Sequence, residues 1–249
     1  MIAILSPAKT LDYHTPHPAV AASAPRFAVE AASLAASAGR LGHKQLGALM
    51  DISPKLARLN IDRFRAFDAA EERPALFAYA GDVYRGFEAR SLPPEALPFA
   101  QDHVRLLSGL YGLLRPLDAI RPHRLEMGTR WAPRRKTLTD WWGTRIAHAL
   151  AADVAEEGSG VVLNLASKEY WAAVASHLPR GVRVIAAHFR QAHPDGARFE
   201  SFAAKRARGT MARWVVEHRI AEVDVLPGFD SDGYRSVGAE GDLLRFVRG

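Results

Sequence analysis

Residues 161–189 constrain the fold of this chain more than any other stretch. Val161 to Leu165 is a short apolar run that suits a buried strand, Lys168 to Leu178 has helical spacing, and Val182 to Phe189 repeats the strand pattern. Two strands joined by a helix make a βαβ unit, and such a crossover pairs its strands in parallel. At least part of the sheet is therefore expected to be parallel. Ile2 to Leu5 reads as another buried strand, closed at Pro7, which cannot donate to a ladder. Arg198 to Phe202 is expected to add a strand, and Leu243 to Val247 an edge strand.

Helices fill the intervals. Residues 27–38 are alanine-rich, with Gly39 as the stop. Over 46–67 the sequence LGALMDISPKLARLNIDRFRAF reads as helix, tight hairpin, helix, with Ser53 as N-cap and Pro54 as first helical residue. DHVRLLSGLYGLLRPLD places Val104, Leu107, Leu110, Tyr111 and Leu114 on one face and predicts a buried helix ended by Pro116. Residues 77–87 read as a strand or turn punctuated by Gly81 and Gly86, and 14–25 as a surface loop. Residues 115–136 form a long Arg/Pro/His connection without apolar period, a length usually tied to function. Helix returns near Asp140. No repeat, linker or domain boundary interrupts the 249 residues. The expected fold class is α/β with mixed α+β character: one compact domain over 1–249, a mixed sheet flanked by helices.

The net charge of +6 is unevenly placed. Residues 121–145 carry +5 and residues 198–219 carry +4, leaving the remainder at −3. Clustered cations argue for an anionic partner better than a high pI does. On a helix at about 100° per residue, Lys205, Arg206, Arg208, Arg213 and Arg219 fall within roughly 160°, while Ala207, Met211, Trp214 and Val215 gather opposite. Such a helix docks on a core and presents a basic stripe, and phosphates are its commonest partner; the plainer reading is a solvated surface helix.

The hairpin at 46–67, within a segment of about 43–67, resembles a helix-hairpin-helix element. In that motif, backbone amides at the second helix's N-terminus grip a DNA phosphate. Ser53, Lys55, Arg58 and Arg63 would surround it, although Ser53-Pro54 stands where glycines are usual. Two strand exits, Ser6 to Lys9 and Asn164 to Lys168, are also anion-site candidates, since open α/β sheets bind ligands at strand ends. The plain alternative is an ordinary αα-hairpin and routine capping.

Other chemistries are excluded or weak. The chain has no cysteine, which rules out disulfides, thiolate metal sites, cysteine-held clusters and thiol peroxidase chemistry. Ser6-Pro7-Ala8-Lys9 fits Ser-x-x-Lys, but the serine precedes a proline rather than opening a helix and no Lys-Thr-Gly partner is evident. Gly81 and Gly86 have Walker spacing without the following Lys-Ser/Thr. The ten histidines show no ligand spacing. Asp12, Asp82, Tyr84, His123 and Glu126 are candidates to converge in a cleft. No apolar run reaches the 18 or so residues of a membrane span, and MIAILSPAKT lacks the form of a leader, so a cytoplasmic location is expected.

The blocks ILSPAKTLDY, ISPKLARLN, AGDVYRG, LSGLYGLLRPLDAIRPHRLEMGTR, NLASKEYW, SFAAKRARGTMARWVVEHR and FDSDGYR occur in one order. In them the chain resembles the YaaA family of bacterial peroxide-stress proteins, over nearly all its length except the last dozen residues. The resemblance implies a cytoplasmic protein that limits oxidative damage under peroxide and lowers free iron, with a positively charged cleft and a DNA-binding hairpin element. It carries the hairpin onto Ser53, Lys55 and Arg58, and the cleft onto Lys9, Arg124, Arg130, Lys168, Lys205, Arg206 and Arg208. It supplies no catalytic residue and no cofactor.

The leading expectation is therefore binding of duplex or distorted DNA through its phosphate backbone, without strong sequence specificity, by these residues together with Arg63 and Arg213. The alternative is an enzyme acting on a phosphate-bearing or nucleic-acid substrate in the same cleft. Direct binding of labile iron is a third reading.

Overall fold

The computed structural model describes residues 1–249. The chain begins with β1 (Ile2–Leu5), followed by α1 (Ala28–Gly39) and the pair α2 (His43–Met50) and α3 (Pro54–Arg65). Then β2 (Arg73–Pro74) leads into the short helices α4 (Ala75–Ala78) and α5 (Asp82–Phe87). Next come α6 (Leu97–His103), β3 (Val104–Ser108), β4 (Gly112–Leu114) and β5 (Ala119–Ile120). After a long connection follow α7 (Leu138–Trp142), α8 (Arg145–Glu157), β6 (Val161–Asn164), α9 (Lys168–Ala175) and β7 (Arg183–Gln191). The last elements are α10 (Ser201–Glu217), β8 (Tyr234–Glu240) and β9 (Leu243–Arg248).

Seven strands form one mixed sheet in the order β4-β3-β1-β6-β7-β9-β8, and β2 and β5 pair separately. From β3 to β9 the neighbours are parallel, while β4 and β8 close the two edges antiparallel. The βαβ unit read from the sequence is β6–α9–β7, with Val162 opposite Val184. All four residues of β1 are fully buried, as a central parallel strand covered on both faces requires. One contiguous apolar cluster runs from Met1 to Phe246, which makes this a single domain.

The hairpin helices also follow the sequence. The Ser53 side chain accepts from the Leu56 amide, Pro54 opens α3, and Asp51 turns the chain in the left-handed region at φ 49°.

Four expectations are corrected. Residues 102–118 are not a helix but end α6 and form the β3–β4 hairpin, with Leu106 opposite Leu114. The apolar run matched both periods, and Gly112, at φ +68°, breaks any helix there. Residues 77–87 are largely the end of α4 and all of α5, not a strand. Gly86 is not punctuation: a Cβ there would lie 2.1 Å from the Arg206 carbonyl oxygen. The same contact recurs from the other side, where a Cβ on Gly209 would lie 1.7 Å from the Val83 oxygen. The two glycines thus let the backbones of α5 and α10 touch. Residues 198–202 form no strand, since only Arg198 makes a bridge, to Gln191. The apolar pattern there belongs to exposed rings, Phe199 and Phe202 being 63% and 75% accessible. Finally, β9 lies inside the sheet. The edge is β8, whose polar sequence YRSVGAE concealed it.

Candidate functional site

A cavity of about 420 Å³ opens where β1, β3 and β6 end. The first strand of the chain lies between β3 and β6, so successive connections leave it in opposite directions. That is the switch point where open α/β sheets form a crevice for ligands. Five further segments supply the walls: residues 6–10 after β1, 79–84 entering α5, 123–126, the start of α9, and Lys205 and Arg208 on α10.

Hydrogen bonds fix these segments to one another. Ser6 Oγ accepts from the Ser167 amide at 2.8 Å and donates to Ser167 Oγ at 3.3 Å, tying the end of β1 to the cap of α9. The Tyr84 hydroxyl donates to the Ser6 carbonyl at 3.1 Å. Glu126 accepts from Lys9 at 2.8 Å and from Arg124 at 2.7 Å. Burial opposes ionisation of Glu126, but these two cations hold its carboxyl below the usual range. Glu169 takes the Gly128 amide at 3.0 Å.

Two lining groups are unusual. His123 is 5% exposed, and burial pushes its pKa down to about 4, with the Arg63 charge adding to the shift. Its Nδ1 donates to the Arg121 carbonyl at 2.7 Å, which leaves Nε2 of a neutral ring as an acceptor. The Tyr79 hydroxyl lies beside Ser108 without forming a satisfactory hydrogen bond, and it is buried. Burial drives this phenol well above the ordinary range, so it stays protonated.

The lining carries four cations, Lys9, Arg124, Lys205 and Arg208, against three acids, Asp82, Glu126 and Glu169. Lys9 and Arg124 are spent on Glu126. Lys205 and Arg208 have no acidic partner in the molecule. The positive field extends onto the sheet, where His188 is held below its usual pKa by burial and then by Arg208, Arg190, Lys168 and Arg245.

Two comparisons with known proteins bear on this arrangement. The family model described as "Peroxide stress protein YaaA" matches residues 1–239. The chain belongs to the peroxide stress protein YaaA family. Curated relatives carry the name UPF0246 protein. That of Rhizorhabdus wittichii is 57% identical over 251 residues, covering 100% of this chain and 99% of the relative. That of Burkholderia thailandensis is 49% identical over 241 residues, covering 94% and 92%. That of Polynucleobacter asymbioticus is 45% identical over 248 residues, covering 98% and 96%.

The residues singled out in this YaaA-family chain fall into three groups. Lys9, Arg124, Lys205 and Arg208 line the cavity, together with Asp82, Tyr84, His123 and Glu126. Lys168 stands exposed at the first turn of α9, directly after the lining Ser167. Arg206 turns into the adjoining groove and pairs with Asp232 at 3.3 Å, and Asp12 pairs with Arg90 at 2.9 Å outside the cavity. A second group is structural: Arg213 donates to the carbonyls of Phe87, Glu88 and Ser91 and pairs with Glu217. The third group lies away from the cavity. Ser53, Lys55 and Arg58 are exposed on the hairpin, and Arg130 is exposed on the long connection. Arg63 stands apart from its hairpin companions, half-buried near Tyr13 and His123.

Tyr79, Ser108, Glu169 and Tyr170 line the cavity without having been anticipated. The tyrosines sit in apolar runs and read as core. Glu169 followed the singled-out Lys168 but carried no signal of its own. No group of three or more His, Asp or Glu side chains is arranged to hold a metal ion, and no helix is long and apolar enough to cross a membrane.

Proposed function

We propose that the protein acts in peroxide stress by binding DNA, duplex or distorted, through its phosphates. The observation that supports this reading is a set of cations with no acidic partner. Lys55 and Arg58 at the hairpin, Arg130, and Lys168, Lys205 and Arg208 at the cavity belong to no ion pair, although most other arginines do. At the hairpin, α3 offers its N-terminal dipole beside Lys55. Neutralising phosphates releases their counterions. Ferrous iron held at DNA is one such counterion, and its reaction with peroxide makes hydroxyl radical. Occupying the phosphates would thereby keep that reaction away from the strand. Replacing the exposed Lys55, Arg58, Lys168 and Lys205 together with Ala is expected to weaken binding by a similar factor for unrelated sequences, as read by fluorescence anisotropy. Unchanged affinity would overturn the reading.

A second reading is an enzyme acting on a phosphate-bearing or nucleic-acid substrate in the cavity. It is favoured by the convergence of Ser6, Asp82, Tyr84, His123, Glu126 and Glu169 on one space at the strand ends, the arrangement that acid–base chemistry needs. Chromatographic assay of nucleotides and oligonucleotides incubated with the protein tests it. A product that His123→Gln abolishes supports it, and the absence of any product counts against it.

A further inference from the structure

Most arginines drawn into this protein find partners for at least part of the guanidinium. Arg105, 4% exposed, is held by Asp153 at 2.6 Å and by the carbonyls of Gln101, Asp102 and Val104. Arg73 donates to the carbonyls of Tyr13 and Thr15, and Arg213 to three carbonyls and a glutamate. Arg208 is the exception. It lines the cavity, its Nε is buried without a partner as those of Arg73 and Arg121 are, and unlike theirs the rest of its guanidinium enters no ion pair or hydrogen bond. Arg208 is half-buried, and a cation partly withdrawn from water with no counter-charge is disfavoured. The contact of α5 with α10 through Gly86 and Gly209 fixes the helix that carries it.

A second poorly partnered group adjoins the same space, for Tyr79 lines the cavity and its buried hydroxyl, beside Ser108, makes no satisfactory hydrogen bond. A third source of donors adjoins them. Ser167 caps α9 through the Tyr170 amide, and helix geometry leaves the amides of Lys168 and Glu169 without intrahelical acceptors. That end of α9 carries the positive pole of its dipole and the Lys168 side chain.

We infer that the cavity is a receptor for one nucleotide-sized phosphate ester, with the Arg208 guanidinium receiving the phosphate. This rests on the phosphate-binding reading above and adds a specific, pocket-sized site to it. Size selects the ligand. About 420 Å³ lies within the range of small-molecule pockets. Duplex cannot enter such a space, and inorganic phosphate would leave most of it unfilled. Tyr79, Tyr84, Tyr170 and His123 give the walls aromatic surface suited to a planar ring, while Glu126 and Glu169 offer acceptors to amino or hydroxyl groups. The ester is either a free mononucleotide or a nucleotide turned out of a strand, since both present the same chemistry.

Calorimetry with 2′-deoxyadenosine 5′-monophosphate, deoxyadenosine and inorganic phosphate tests the inference. A short duplex carrying one unpaired nucleotide, compared with its fully paired form, separates the two sources. The monophosphate is expected to bind and the nucleoside without phosphate to bind far more weakly. Arg208→Met is expected to weaken the monophosphate by about tenfold or more, the share of one charge-assisted hydrogen bond, with Tm unchanged or raised because an unpaired, half-buried charge is removed. Tyr79→Phe, which keeps the ring, is expected to weaken it less and to leave Tm intact. Failure of the monophosphate to bind, or equal binding by the wild type and both variants, would overturn the inference. So would a fall in Tm for Arg208→Met, which would make that side chain structural. If DNA still binds through Lys55, Arg58, Lys168 and Lys205, the receptor fails alone and the phosphate reading stands; if neither ligand binds, both fail.

Discussion

The chemistry of single side chains in this protein turns on whether burial is compensated. Asp153 is 3% exposed and joins Arg105 and Arg26. Asp153→Ala leaves Arg105 buried without its partner and is expected to cost about 3–5 kcal/mol, measured by denaturant unfolding. His123 is the opposite case, a histidine buried neutral. Its pKa falls from 6.5 to about 4 on folding, so between those values the unfolded chain binds more protons than the folded one. Stability is therefore expected to fall as pH drops from about 6.5 towards about 4, by at most about 1.4 kcal/mol per unit for one group. His188 is shifted in the same direction and contributes to the same limb. Below about 4.5 the carboxylates held low by their partners, Glu126 and Glu157, lose their contribution too. His123→Gln is expected to flatten the upper part of that limb; an unchanged slope would mean that the ring is not buried neutral.

At the scale of elements, the site depends on α5 and α10 lying in backbone contact. Gly209→Ala gains up to about 1 kcal/mol in helix propensity but drives a Cβ into the Val83 carbonyl, and overpacking of this kind costs about 1–3 kcal/mol or more. A lowered Tm is expected, whereas Gly228→Ala, with nothing within 4 Å of the added Cβ, serves as a neutral control; a Tm unchanged in Gly209→Ala would contradict the close approach. This contact explains what the sequence could and could not convey. The unit β6–α9–β7, the Ser53-Pro54 cap and the basic helix were legible because each is local in period and capping. The hairpin β3–β4 was not, since Val104 to Leu114 is apolar in both the helical and the strand period. Gly86 read as punctuation, because the partner that requires it lies far away in sequence. Of the cavity, Lys9, Asp82, Tyr84, His123, Glu126, Lys205 and Arg208 were legible as polar residues in loops and on the basic helix. Tyr79 and Tyr170 were hidden by their apolar surroundings.

For the whole molecule, the question is how charge is distributed over the fold. Lys205 and Arg208 on α10 and Lys168 on α9 meet at the strand ends, whereas Lys55 and Arg58 project from a separate hairpin. Of the five cations on the basic segment, Arg213 is consumed by packing and Arg206 by Asp232, so the stripe is narrower than its sequence suggests. Arg206→Ala is accordingly expected to change DNA affinity less than Lys205→Ala does, in parallel anisotropy titrations. Equal losses would mean that the Asp232 pair opens on binding. The most direct measurement is the affinity for a duplex titrated across salt. Binding through phosphates predicts that the logarithm of affinity falls linearly with the logarithm of salt, by about 0.9 per phosphate contact, and that replacing Lys55, Arg58, Lys168 and Lys205 with Ala makes the line shallower. A line of zero slope, or no binding at low salt, would contradict the account.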